Sequence, residues 1–460
     1  MSVLTRLAVN RNVWRASRLK FRCRRSMDGP EHGCVKEIAS KNGGHNQKGT
    51  RSMSTDDRAL DPKGVPLLDL RRQHEPLMDE MSAALTSVCR SGAFVLGPEV
   101  TELEKNLAAY CGAKHAVACA SGSDALLLAL MACGVSRKDE VVLPSFTFFA
   151  TASAVTRLGA RPVFADIDPT TFNIDPTAIE PLLTPATRAI LPVHLFGQCA
   201  DMGAVGLIGK ASRLPLIEDA AQAIGAEFDG HRAGSLGDIG CFSFYPTKNL
   251  GGAGDGGMLT SNCDKLADQL QLLRGHGMRP RYYHEVVGIN SRLDSFQAAV
   301  LNVKMRHLDR WTTMRQTNAE RYAGMFAAEG LDDKLGLPQA ATGQRHVWNQ
   351  YVIRVPDGRR DALREYLAEA KIGSDIYYPM GLHQQKCFGY LDYKPGDLPE
   401  TEHAAEEVLA LPIFPELTEA EQQMVVDRIA AFHKSGPVGH KLAGPQFLKH
   451  PAARKRRNDG

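Results

Sequence analysis

A single lysine, Lys248, stands between an aromatic run and a glycine-rich segment in CFSFYPTKNLGGAGDGG, residues 241–257. An amine whose pKa is depressed by burial or by a neighbouring positive charge is a nucleophile toward an aldehyde. The run before Lys248 reads as a buried strand, and the glycines at 251, 252, 254, 256 and 257 allow a tight loop beneath a bulky ligand. Asp219 closes the apolar start of IEDAAQAIGA, residues 217–226. A helix cap or a structural acid explains it when taken alone; a carboxylate there would also pair with a buried cation such as a protonated pyridine nitrogen. Gln222, three residues on, would bring an amide to a ring hydroxyl. In SGSDALLLAL, residues 121–130, Ser121, Gly122 and Ser123 lie at a strand-to-helix junction. Backbone N–H groups and the helix dipole favour an anion at such a place, and a plain capped helix start accounts for the same residues. Ser243 would add a hydroxyl to that anion. Phe148, in PSFTFFATA, would stack on a flat ring, although core packing is the ordinary role of a lone phenylalanine.

These residues need elements that bring them together, and the chain alternates strand and helix. Apolar runs at 115–120, 139–146, 161–168, 187–197, 214–221, 237–245 and 256–262 read as strands, with helical segments between most of them. Near-continuous apolar strands are buried on both faces, so an α/β protein with a mostly parallel central sheet is expected. Ligands of open α/β sheets bind beyond the carboxyl ends of the strands. Ser121, Gly122, Ser123, Phe148, Asp166, Asp219 and Lys248 all fall at such ends, so they are expected to converge on one crevice. Amine, anion cradle, ring stack and carboxylate together specify pyridoxal 5′-phosphate (PLP). A helix over about 293–327, with Leu301, Met305, Leu308 and Trp311 on one stripe, is expected to lead into a smaller α/β domain. That domain holds a strand at QYVIRVPD, a helix ending at Gly373, and a last helix capped by Thr418. The expected division is a basic extension over 1–64, a large PLP-binding domain over 65–310, a small C-terminal domain over 311–434 and a basic tail over 435–460.

The chain has 460 residues, and its net charge of +3 conceals an acidic body between two basic ends. The body offers no electrostatic case for nucleic-acid binding. No stretch reaches the roughly eighteen uncharged apolar residues of a membrane span, and the scattered cysteines suggest neither a disulfide scaffold nor a metal site; a cytoplasmic location is expected. The first 25 residues carry eight basic and no acidic side chains, a composition like that of a transit peptide. A start near Met53, or a disordered extension, is the preferred reading.

Residues 65–434 resemble the DegT/DnrJ/StrS family of PLP-dependent nucleotide-sugar aminotransferases, which have the aspartate-aminotransferase-type PLP-dependent transferase fold. The stretches that carry the resemblance are GPEVTELEKNLAAYCGAKHAVACASGSDALLLAL, DEVVLPSFTFFATASAVTRLGARPVFADID, LPVHLFGQCADM, IEDAAQAIGA, FSFYPTKNLGGAGDGG and VGINSRLDSFQAAVL, in family order. The resemblance implies that Lys248 forms the Schiff base with PLP and moves the proton, and that Asp219 pairs with the pyridine nitrogen. It implies further that Gln222 sits by the ring hydroxyl, that Phe148 stacks, and that Gly122, Ser123 and Ser243 hold the phosphate. Asn290 would reach the phosphate of the partner subunit's site, which makes a homodimer with shared active sites. The implied reaction moves an amino group from an amino acid, usually L-glutamate, to a keto group of a nucleotide-diphosphate-linked sugar. Dehydratases of the family carry histidine in place of the lysine, so Lys248 favours an aminotransferase. RYYHEVVGINSRLD, residues 281–294, is similar to members that aminate sugar carbon 3 rather than carbon 4. IYYPMGLHQQKCF, residues 376–388, resembles the substrate-side segment, with Tyr377 where the family often has histidine; His383 faces the substrate or lies at the surface. Two rival readings remain: another PLP reaction such as a dehydratase or lyase, which GINSRLD argues against, and a non-catalytic regulatory or sensor protein.

Overall fold

The computed structural model describes residues 64–434; the expectations for the basic extension and the basic tail lie outside the described residues. The central sheet is made of β1 (His115–Cys119), β2 (Glu140–Pro144), β3 (Arg161–Ala165), β4 (Thr187–Ile190), β5 (Ile217–Asp219), β6 (Ile239–Ser243) and β7 (Gly257–Ser261). Two ladders, β1-β7-β6-β5 and β3-β2-β4, are joined by parallel bridges from Ile190 to Leu216 and from Val193 to Asp219. The pairs β2/β3, β2/β4 and β5/β6 are parallel, while β7 runs antiparallel to both β1 and β6. The expected mostly parallel sheet is therefore present, with β7 reversed. The reversal follows from its connection. The segment after β6 contains no helix that could cross over the sheet, and it doubles back with Phe244 N–H donating to Gly256 (2.8 Å) and Gly252 N–H donating to Phe244 (2.8 Å).

Helices cover the sheet because its strands are apolar on both faces. They are α1 (Met78–Ser91), α2 (Pro98–Cys111), α3 (Gly122–Ala132), α4 (Phe149–Arg157), α5 (Met202–Ser212) and α6 (Asp264–Leu273). In α3 the run from Ala125 to Leu130 is buried all round, which its nearly uniform hydrophobicity requires. Sequence patterning gave no assignment for α1 and α2, although Val100, Leu103, Leu107 and Cys111 form a buried stripe on α2.

The helix expected over 293–327 is two helices, α7 (Ser295–Met305) and α8 (Leu308–Ala328), with a break at Arg306 and His307. The apolar stripe continues across the break, which is why spacing alone does not reveal it. Leu301 and Leu308 pack with α2 and the sheet, whereas Trp311 packs with Leu77, Met81, Val300 and Val303. Further along α8, Ala319, Tyr322 and Phe326 enter a second core. That core also contains β8 (Tyr351–Arg354), α9 (Arg360–Glu369), β9 (Val408–Leu411) and α11 (Glu419–Lys434), with α10 (Pro399–Glu407) between α9 and β9. The helix expected to end at Gly373 stops at Glu369, because Val65 pairs with Ile372 and accepts the Gly373 N–H (2.7 Å). Thr418 caps α11 as expected: its hydroxyl accepts Glu421 N–H (3.2 Å), and Glu421 returns a bond to Thr418 N–H (2.9 Å). Among the described residues no helix is long and apolar enough to cross a membrane.

Candidate functional site

Strand ends deliver the chemistry. Asp219 ends β5 and is 5% exposed; its carboxylate accepts the Thr151 hydroxyl (2.8 Å) and Ala221 N–H (3.3 Å). Burial pushes this carboxyl up, and the Thr151 bond opposes that rise. Among the described residues no lysine, arginine or histidine pairs with it. An acid so deeply placed without a cation is costly unless a ligand brings one.

Lys248 lies five residues beyond β6, in a turn in which its N–H donates to Tyr245 (2.9 Å). The side chain is half-buried, and no described residue hydrogen-bonds its amine or forms an ion pair with it. Surrounding protein nevertheless pushes the amine down to about 8, while the charge of Asp219 pulls the other way. The lowered pKa favours the unprotonated amine that attack on a carbonyl carbon demands.

Helix α3 supplies an anion cradle. Ser121 caps it by accepting Asp124 N–H (3.1 Å), and Gly122 and Ser123 keep N–H groups for which no described residue is an acceptor. A Cβ on Gly122 would lie 2.6 Å from Ser243 Cβ, so the bare glycine is what brings the helix start against the end of β6. The Ser243 hydroxyl accepts Tyr245 N–H (3.3 Å), and its own hydrogen remains to be donated. Sequence reading missed Ser291, which donates to the Asp124 carboxylate (2.8 Å) and accepts Ala120 N–H (3.1 Å), bracing the same junction. Its neighbour Asn290 is exposed and touches none of these groups within one chain; its backbone bridges to Gly275.

Gln222 is more constrained than its sequence position suggested. Its carbonyl oxygen accepts Phe196 N–H (2.7 Å) and its amide nitrogen donates to the Tyr378 hydroxyl (2.9 Å). Tyr378, also missed from sequence, sits at φ +61° with its ring stacked on Phe196. Phe148 forms the N-cap position of α4 and is 59% exposed, so its ring is not core and is free to cover a ligand. Tyr377 is half-buried, and burial raises its hydroxyl.

Two expectations are corrected. His383 is neither at the surface nor free for a substrate: it is 4% exposed, its Nδ1 bonds Ser145 (2.7 Å) and its Nε2 bonds Glu402 (3.2 Å). Asp166 does not join the crevice, because its carboxylate caps α10 by accepting Glu400 N–H (2.9 Å), Thr401 N–H (2.8 Å) and the Thr401 hydroxyl (2.8 Å).

An unbonded amine, a buried carboxylate lacking a cation, an exposed flat ring and a cradle of free N–H donors make a donor set that fits a phosphorylated aromatic aldehyde with a protonatable ring nitrogen. Comparison with known proteins points the same way. The model of the DegT/DnrJ/EryC1/StrS aminotransferase family matches residues 76–430. A pleiotropic regulatory protein of Geobacillus stearothermophilus is 51% identical over 370 residues, covering 80% of this chain and 99% of that protein. A UDP-N-acetyl-3-dehydro-alpha-D-glucosamine 3-aminotransferase of Acidithiobacillus ferrooxidans is 44% identical, covering 77% and 94%. The crystal structure of NtdA from Bacillus subtilis with bound cofactor PMP superimposes with a TM-score of 0.74 at 32% identity, covering 81% of this chain and 86% of that one.

Proposed function

The chain belongs to the DegT/DnrJ/EryC1/StrS aminotransferase family, and from that premise we propose that it moves an amino group from L-glutamate to the keto group of a nucleotide-diphosphate-linked sugar, with PLP as cofactor. The observation that carries the reading is the buried Asp219, unpaired among the described residues, lying near enough to the unbonded amine of Lys248 for each charge to act on the other. The name of the Acidithiobacillus relative supports sugar carbon 3 as the position aminated. The name of the Geobacillus relative describes regulation; the complete constellation of Lys248, Asp219 and Ser243 favours catalysis for this chain.

When bound, PLP supplies an aldehyde that takes up amines and a protonated ring that accepts an electron pair. Lys248 Nζ is the amine that would hold the cofactor, and when free it would be the base for the proton on the amine-bearing carbon. Its depressed pKa suits both tasks near neutral pH. Asp219 would keep a proton on the ring nitrogen by charge pairing. Gly122 and Ser123 N–H and the Ser243 hydroxyl would hold the phosphate, the exposed Phe148 ring would cover the cofactor, and Gln222, with one amide hydrogen left over from its bond to Tyr378, would serve the ring oxygen. Tyr377 lines the sugar side. A second copy of the chain would complete the site by bringing Asn290 to the phosphate. Support for that copy comes from the exposed apolar side chains Tyr282, Tyr283 and Val287 in the segment leading to Asn290, and from Phe94 and Val95, which bridges to Asp294.

The test is the visible absorption spectrum of PLP-loaded protein before and after L-glutamate. A yellow band that bleaches with glutamate, absent from Lys248→Ala with an unchanged far-ultraviolet dichroism spectrum, is the expected result. Normal turnover by Lys248→Ala, or a protein that takes up no PLP, overturns the reading.

A further inference from the structure

Asp219 does its work only as an anion, yet burial drives it toward the neutral acid. A donor fixed in the protein that bonds to the ionised carboxylate favours the anion that the cofactor needs. The Thr151 hydroxyl lies 2.8 Å from one carboxylate oxygen, and the Thr147 hydroxyl lies 3.3 Å from that of Thr151. All three side chains are buried: Thr147 is 2% exposed, Thr151 0% and Asp219 5%. The direction of the hydrogens follows from inventory. An ionised carboxylate only accepts, so Thr151 donates to Asp219, and its oxygen is left to accept the hydrogen of Thr147. The same turn of backbone places the stacking ring: Phe148 lies between the two threonines in sequence, and Thr151 N–H donates to the Phe148 carbonyl (3.2 Å).

Resting on the function proposed above, we infer that Thr151, backed by Thr147, is a positioning residue. It orients the Asp219 carboxylate and holds it anionic, and thereby sets how tightly the pyridine ring of the cofactor is gripped. Lys248, His194 and Tyr378 are the other titratable groups that act on Asp219 from the surrounding elements, with Cys241 on the paired strand β6. None of them bonds to its carboxylate, so the threonine hydroxyl is the side-chain donor that does.

The probe is pyridoxamine 5′-phosphate, whose binding is non-covalent and does not involve Lys248 chemistry. Its dissociation constant is measured by calorimetry from pH 8 to pH 5 for wild type, Thr151→Val, Thr151→Ser and Thr147→Val. Thr151→Val is expected to bind roughly tenfold more weakly at pH 8, the usual loss for a hydrogen bond to a charged group. The ratio to wild type should widen as the pH falls, because without the donor the buried carboxyl takes up a proton at higher pH. Thr151→Ser should restore wild-type behaviour, and Thr147→Val should shift it in the same direction by a smaller factor. A constant ratio across the pH range, or a serine variant no better than valine, would mean a merely structural threonine and overturn the inference. If Thr151→Val does not fold, an unshifted Thr147→Val together with an unshifted Thr151→Ala decides against it. Wild-type protein that fails to bind the probe overturns the proposed function and this inference together.

Discussion

Gly122 shows how one missing methyl group shapes the site. Its Cβ would fall 2.6 Å from Ser243 Cβ and 3.2 Å from Ser243 Cα, too close for any side chain to turn away. Gly122→Ala should push the start of α3 off the end of β6, costing about 1–3 kcal/mol of stability and separating the phosphate donors. Gly206→Ala is the control: nothing lies within 4 Å of its Cβ position in α5, so it should gain roughly 0.5–1 kcal/mol from helix propensity. Urea denaturation of both variants, with cofactor titration, checks the contrast; equal effects would show that Gly122 has no special place. Two neighbouring cases show the reach of sequence at this scale. Asp219 and Asp166 both follow apolar strands, and nothing in their local context separates them; only the presence of the α10 N–H groups against Asp166 makes it a cap. His383 was undecidable for the same reason, since its partners Ser145 and Glu402 come from distant positions.

Among the elements, α7 is what gives the glycine loop its form. Gln297 accepts Ala253 N–H (2.9 Å), and seven residues later on the same face Lys304 Nζ donates to the Gly251 carbonyl and contacts His74 Nε2 (3.0 Å). The loop that follows Lys248 is thus fastened to one helix at two points, and Gly251, whose Cβ would lie 2.2 Å from the Pro246 carbonyl, could be no other residue. Lys304 is fully buried, among the described residues no carboxylate pairs with it, and burial lowers its ammonium from the ordinary 10.5 to about 8. Between those two values the unfolded chain binds a proton that the folded chain has released, so this lysine makes stability rise with pH across that window. Below pH 8 both states are protonated and its burial cost is constant. Cofactor-free Lys304→Met should lose that share of the rise between pH 7.5 and 9.5, while the share due to Lys248 persists. Urea midpoints at the two pH values measure this, and parallel pH dependences in wild type and variant would show that Lys304 does not titrate there.

At the scale of the whole molecule, the proposed pairing of two chains rests on exposed apolar surface in the segment leading to Asn290. Tyr282 is 76% exposed, Tyr283 69% and Val287 90%, a concentration of apolar surface that a second copy would bury beside Asn290. Dilution that produces monomers should therefore abolish transamination, as followed by gel filtration and activity on the same samples; full activity in a demonstrated monomer would remove Asn290 from the site. Asn290→Ala should then weaken cofactor binding without altering the melting of a single chain.

Most residues of the proposed site are legible in order along the chain. Lys248, Asp219, Gly122, Ser123 and Ser243 could be picked out because strand ends in an α/β sheet are recognisable from short apolar runs, and a local property needs only local sequence. The strands, the parallel sense of most of them and the Thr418 cap were determined in the same way. Tertiary structure alone decided the rest. It chose Thr151 as the donor to Asp219, tied Gln222 to Phe196 and Tyr378, withdrew His383 and Asp166 from the crevice, and split one apolar stripe into α7 and α8. Each of these depends on which distant groups satisfy a buried polar atom or fill a space, and a buried carboxylate or imidazole accepts any donor of the right shape that the fold brings within about 3 Å.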